Sequence, residues 1–111
     1  EAMFTAITRA KKKVFNDSDN DLVIDFWKNK IGIDVAFNHR SFIGGDLLRL
    51  QAGAEIKNMI NIGIYVCGTK NFLKHISNDH SSIVSFERVK WYLENFYSVL
   101  TVPILLVGFE E

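Results

Sequence analysis

A chain of 111 residues with 13 basic and 13 acidic side chains carries no formal net charge at neutral pH, which argues against a nonspecific polyanion binder but leaves room for an enzyme whose basic groups line one cleft. Hydrophobic residues at 48% and aromatic residues at 13% are too many for a disordered chain and enough for one compact core. No apolar run approaches the ~20 residues of a membrane span, and Glu1-Ala2-Met3-Phe4 lacks the charged and apolar zones of a signal peptide; a cytoplasmic protein with no membrane partner is expected. The single cysteine, Cys67, forms neither an internal disulfide nor a zinc site and reads as a buried structural thiol. A start at Glu1 rather than at a methionine fits one domain over residues 1–111, either a mature domain or a fragment of something longer.

Residues 2–15 carry Met3, Phe4, Ile7, Ala10 and Val14 with Arg9, Lys11, Lys12 and Lys13 between them, an amphipathic helix with cations near its C-terminal end. Those lysines either cap the dipole or contact phosphate. Residues 16–21 read as a polar loop. Its alternating acids lack the following helix and distal glutamate of a calcium loop.

Residues 23–37 alternate apolar side chains about a polar centre, Asn29-Lys30, and read as two strands joined by a short turn. With those two as the loop, Lys28 pairs with Ile31, Trp27 with Gly32, Phe26 with Ile33, Asp25 with Asp34, Ile24 with Val35 and Val23 with Ala36. Ile24 and Phe26 then share an apolar face with Ile31, Ile33 and Val35. Asp25 and Asp34 meet on the other face. Like charges so placed repel, so a shared proton, a nearby base or a divalent cation must compensate, and two hard oxygen ligands suit Mg²⁺ or Mn²⁺. The alternative is a longer turn with both aspartates solvated.

Residues 38–45 read as a loop with Gly44-Gly45 as turn chemistry. A helix follows over residues 46–59, with Leu47, Leu50, Ala54 and Ile56 inward and Arg49, Gln51, Glu55 and Lys57 outward. Residues 61–67 form a nearly continuous apolar strand, residues 69–76 a short helix, residues 77–82 a polar connection. Ser85 caps a helix over residues 85–97, whose stripe Phe86, Val89, Leu93, Phe96 and Leu100 reads as core. Residues 102–108 are another buried strand, with Pro103 at its start. His75 and His80 are too isolated to make a hydrolytic triad with any serine. The order helix, hairpin, helix, strand, helix, helix, strand predicts an α/β fold, a mixed sheet sandwiched by helices.

Asp25-Phe26-Trp27-Lys28, Ile33-Asp34-Val35-Ala36-Phe37, Ser41-Phe42, Asp46-Leu47 and the closing Val102-Pro103-Ile104-Leu105-Leu106-Val107-Gly108 together resemble type II restriction endonucleases of the BglII and BstYI group, in the PD-(D/E)XK nuclease superfamily. In that group an aspartate is followed, at the spacing of Asp25 to Asp34, by an acidic residue, one spacer and a glutamine or glutamate. The resemblance implies a restriction-endonuclease-like core, a central mixed sheet flanked by helices, and Mg²⁺-dependent hydrolysis of double-stranded DNA, with Mn²⁺ able to substitute. It implies Asp25 and Asp34 as metal ligands and Asn38, His39 and Arg40 as DNA contacts, with Arg49 on the next helix a weaker candidate. It also implies a homodimer with recognition segments on an additional domain or chain. Ala36 falls where the third active-site side chain belongs. Its methyl cannot polarise a water, which leaves three readings: a deliberate or natural substitution that disables the enzyme, an inactive nuclease-fold module that binds DNA or protein, or a function moved to Arg40 or Lys28.

Overall fold

The alternation around Asn29-Lys30 folds as a tight hairpin. In the computed structural model, which describes residues 12–13 and 23–110, strands β3 (Phe26–Lys28) and β4 (Ile31–Val35) pair antiparallel in the expected register: Phe26 with Ile33, Trp27 with Gly32, Lys28 with Ile31. Both loop residues take the left-handed conformation, Asn29 at φ 52° and Lys30 at φ 63°. That is a type I′ turn, whose twist matches the strands it joins. Asparagine tolerates this conformation and lysine does so at a cost. Lys30→Gly is therefore expected to stabilise the fold by about 0.5–1 kcal/mol and raise the melting temperature by a few degrees, even with loss of the exposed Lys30 Nζ bond to the Asn58 carbonyl at 3.0 Å. A lower melting temperature would contradict the strain argument.

Upstream, the expected hairpin is cut short. The chain bends at Asp25, and β2 (Val23–Ile24) leaves β4 to pair with β1 (Lys12–Lys13), Lys12 opposite Ile24 and Lys13 opposite Val23. Two expectations are corrected here. Lys12 and Lys13 lie in a strand rather than in a helix over residues 2–15; the rest of that stretch and the polar loop at residues 16–21 lie outside the described residues. Ile24 also changes face, because the bend turns it toward Gly32, where its Cγ2 would lie 3.3 Å from an added Cβ, and toward Gly53. A longer side chain at Gly32 would also meet Ile60 Cγ2 at 3.0 Å.

β5 (Ile62–Gly68) and β6 (Ile104–Phe109) complete a four-stranded sheet in the order β3-β4-β5-β6. β4, β5 and β6 are mutually parallel, with Asp34 beside Tyr65 and Tyr65 beside Leu106. Helix α1 (Ile43–Glu55) joins β4 to β5, while α2 (Lys70–Ile76) and α3 (Phe86–Asn95) join β5 to β6. A 3₁₀ turn, Arg40–Phe42, runs straight into α1. The helix consequently begins before Asp46, and Gly44 and Gly45 lie within its first turn rather than in a loop. It ends at Glu55, which leaves Ile56 exposed and not inward. Ser85 caps α3 as expected, accepting from the Arg88 N–H at 3.2 Å, and Thr69 caps α2 in the same way.

α1 and α3 cover one face of the sheet, where Leu50 meets Gly63 and Phe86 meets Gly108. Ile43, Leu47, Leu50, Tyr65, Cys67 and Val89 form the core between them. α2 packs at the end of the opposite face, with Phe72 and Leu73 against Gly68 and a ring cluster of Phe37, Phe72 and Phe109. The sandwich of helices about a mixed sheet thus matches the expectation. Cys67 is wholly buried, and burial pushes its thiol up to about 12. No helix among the described residues is long and apolar enough to cross a membrane.

Candidate active site

The two hairpin aspartates meet where the bend after β2 faces the end of β4. Asp25 donates its backbone N–H to Asp34 Oδ1 at 3.1 Å, and Asp25 Oδ2 accepts from the Val35 N–H at 3.1 Å. Each carboxylate is thereby anchored by main chain beside the other rather than set head-on against it. The remaining oxygen of Asp34, Oδ2, takes a guanidinium: Arg49 Nη1 lies 3.1 Å away, while Nη2 of the same arginine reaches Asp46 Oδ1 at 3.3 Å. The Tyr65 hydroxyl donates to Asp46 Oδ2 at 2.6 Å. Of the three compensations for the aspartate pair, Arg49 supplies the nearby base.

Arg49 was expected to face outward on its helix. Its side chain is only 19% exposed, folded back over β4. The arrangement draws in Asp46 and Tyr65, which sequence reasoning did not single out for a role. One signal was available: Asp46, Leu50 and Gly53 fall on one helical stripe, and an acid on a core-facing stripe needs a partner. The i, i+3 spacing of Asp46 and Arg49 supplies one.

Burial sets the electrostatics. It pushes the Asp34 carboxyl up to about 7, against the Asp25 N–H bond and the Arg49 charge, which pull it down. Asp46 is raised too, chiefly by burial, and the Tyr65 hydroxyl is raised by burial and by its bond to Asp46. A raised carboxyl holds a proton in the folded chain at pH values where the unfolded chain has released it. Stability contributed this way is present at low pH and is lost as pH rises from about 4 to about 7. Urea unfolding is expected to show a decline of about 2–4 kcal/mol across that window, and Asp34→Asn should flatten it. A profile of equal slope in the variant would assign the decline elsewhere.

Ala36 follows Asp34 on the same face. Its N–H donates to the Val66 carbonyl at 2.8 Å, extending the ladder past β4, and its methyl lies in the core. Asn38, His39 and Arg40 form a separate stretch on the loop beyond. The Asn38 carbonyl accepts from the Val84 N–H, and His39 Nδ1 accepts from the Ser41 N–H at 3.0 Å, which commits that ring atom to the turn. Arg40 is exposed. The structure therefore groups Asp25, Asp34 and Arg49 and leaves Asn38, His39 and Arg40 apart from them. His75 bonds to the Asn71 carbonyl.

Among the described residues no group of three or more His, Cys, Asp or Glu side chains could hold a metal ion. Asp25 and Asp34 offer two carboxylates, with both Asp34 oxygens already accepting hydrogen bonds. That suits Mg²⁺, which keeps several waters and takes one or two carboxylates together with substrate phosphate, better than a metal that demands a closed protein cage.

Comparison with known proteins bears on this geometry. A family model described as restriction endonuclease BglII/BglIII matches residues 3–109. A crystal structure of restriction endonuclease BglII complexed with a DNA 16-mer is similar, with a TM-score of 0.77 at 20% identity, over 98% of this chain and 51% of that chain. This chain thus spans about half the length of that enzyme. No curated protein matches it. The family match over nearly all of the sequence, on a fold shared with BglII, means that the chain belongs to the BglII/BglIII restriction endonuclease family.

Proposed function

We propose that residues 1–111 form a single nuclease domain of a cytoplasmic, divalent-metal-dependent endonuclease that acts on double-stranded DNA, with Asp25 and Asp34 holding the metal and with hydrolysis held back by Ala36. The observation that carries this reading is the interlocked aspartate pair at the carboxyl end of β4, the end of a parallel sheet where ligands bind. Asp25 and Asp34 would hold Mg²⁺, or Mn²⁺ in its place, which would supply a water of lowered pKa and offset charge gathering on the phosphate.

The chain's own groups prepare the site. The Val35 N–H fixes the Asp25 carboxylate, and Arg49 opposes the burial that would otherwise keep Asp34 protonated and unable to act as a ligand. Arg49 is on this account a positioning residue rather than a DNA contact, while Asn38, His39 and Arg40 lie on the loop that leaves the site toward DNA. At position 36 no group can orient or deprotonate a water. A homodimer and recognition segments on another domain or chain complete this reading.

The alternative is an inactive module that binds DNA or a protein, favoured by the way the Ala36 methyl fills core space. Titration calorimetry with Mn²⁺ tests the site directly. One ion per chain, lost in both Asp25→Asn and Asp34→Asn while each variant stays folded, is expected; absence of binding in the parent chain would remove the metal site.

A further inference from the structure

A cleft of about 260 Å³ lies outside the carboxylate network. Its walls come from four elements: Arg40 in the first 3₁₀ turn, Lys70 and Lys74 on α2, His80 in a second 3₁₀ turn (His80–Ser82), and Ser85 with Arg88 at the start of α3. Main-chain bonds fix its shape. His39 bridges Ile83, Gly68 bridges Ser85, and the Val84 N–H donates to the Asn38 carbonyl at 3.0 Å.

Arg40, Lys70, Lys74 and Arg88 are exposed, and none has an ion-pair partner among the described residues. Two acids lie beside them, neither in an ion pair with the four cations. Glu87 Oε1 accepts from the Lys70 N–H at 2.9 Å, and Asp79 Oδ2 accepts from the Ser82 hydroxyl at 2.8 Å. In a chain whose charges balance overall, four cations against two acids leave this hollow locally positive, a field that attracts an anion. Because β4 and β5 are parallel, Arg40 and Lys70, which follow them, stand at the same end of the sheet as Asp34.

We propose that this cleft is a phosphate site that holds the sugar-phosphate backbone of duplex DNA beside the aspartate pair. The choice of polymer rests on the nuclease reading above; the choice of phosphate rests on the cleft. Contacts of this kind position a duplex without reading its sequence.

The test is anisotropy of two labelled duplexes of unrelated sequence, in metal-free buffer, over a range of salt. The triple variant Lys70→Gln, Lys74→Gln, Arg88→Gln is compared with the parent chain and with Lys90→Gln, a lysine of α3 outside the cleft. The triple variant should keep its melting temperature, since exposed substitutions of this kind cost little. It should bind both duplexes at least about tenfold more weakly, with the slope of log K against log salt reduced by about 2–3. Lys90→Gln should change affinity less than about twofold. Equal affinity and equal slope in the triple variant would overturn the proposal, and displacement of duplex by submillimolar inorganic phosphate at constant ionic strength would replace the polymer with a free anion.

The two readings fail separately. Plasmid nicking by Ala36→Glu, with duplex affinity unchanged in the triple variant, removes the cleft and keeps the nuclease. Duplex affinity lost in the triple variant, with no nicking by Ala36→Glu, keeps the cleft and removes the nuclease.

Discussion

Ala36→Glu is expected to raise Mg²⁺-dependent nicking of a supercoiled plasmid by about 10²–10⁴-fold, the usual contribution of a positioned general base. Position 36 is two residues beyond Asp34 on the same face, and its backbone is fixed by the Val66 carbonyl, so a longer side chain starts beside the aspartate pair. A third carboxylate there would push Asp34 further up from about 7. Nicking should therefore increase as pH rises from neutrality. Ala36→Gln, which adds no charge, should give a smaller gain and less dependence on pH. Asp34→Asn in the Ala36→Glu background must abolish the activity. Two folded variants that both fail to nick would favour the inactive binding module.

The second large effect is on stability. Arg49→Met removes the charge shared by two buried carboxylates, Asp34 at 2% and Asp46 at 6% exposure. Loss of one partner from such a network costs about 3–5 kcal/mol when burial is complete, and the partial exposure of Arg49 puts the expectation near the low end, about 3 kcal/mol at pH 8. At pH 5 the loss should be smaller, because Asp34 can take up a proton and cease to need the guanidinium. Neutralising both acids with asparagine in the Arg49→Met background should restore part of the stability. A cost below about 0.5 kcal/mol at both pH values would mean that the pairing contributes nothing measurable.

The hairpin register was legible in the sequence because alternation has a period of two and the Asn29-Lys30 centre allows one symmetric pairing. Ser85 as a cap and the apolar run of β5 were legible for the same local reason, whereas β6, expected to be buried, is the edge strand of the sheet, with Leu105 exposed. The end of the hairpin at Asp25 was not, since alternation continues through Ile24 while the pairing partner changes from β4 to a strand at Lys12–Lys13. Local pattern carries no record of which strand is paired. The Asp34–Arg49–Asp46–Tyr65 chain escaped for a related reason. Arginine on a helix surface and arginine folded over a sheet have the same spacing; only the approach of α1 to β4 and β5 distinguishes them. Gly44-Gly45 had the composition of a turn, and the 3₁₀ turn running into α1 overrode it.

The bend at Asp25 makes this residue the joint between two sheets. On one side Ile24 is clamped between Gly32 and Gly53; on the other Phe26 is locked opposite Ile33. The peptide N–H in the middle is the one that holds Asp34. The spacing of the two carboxylates is consequently set by both ribbons at once, because the residue whose N–H holds Asp34 is the one at which the chain passes from the small ribbon into the large sheet.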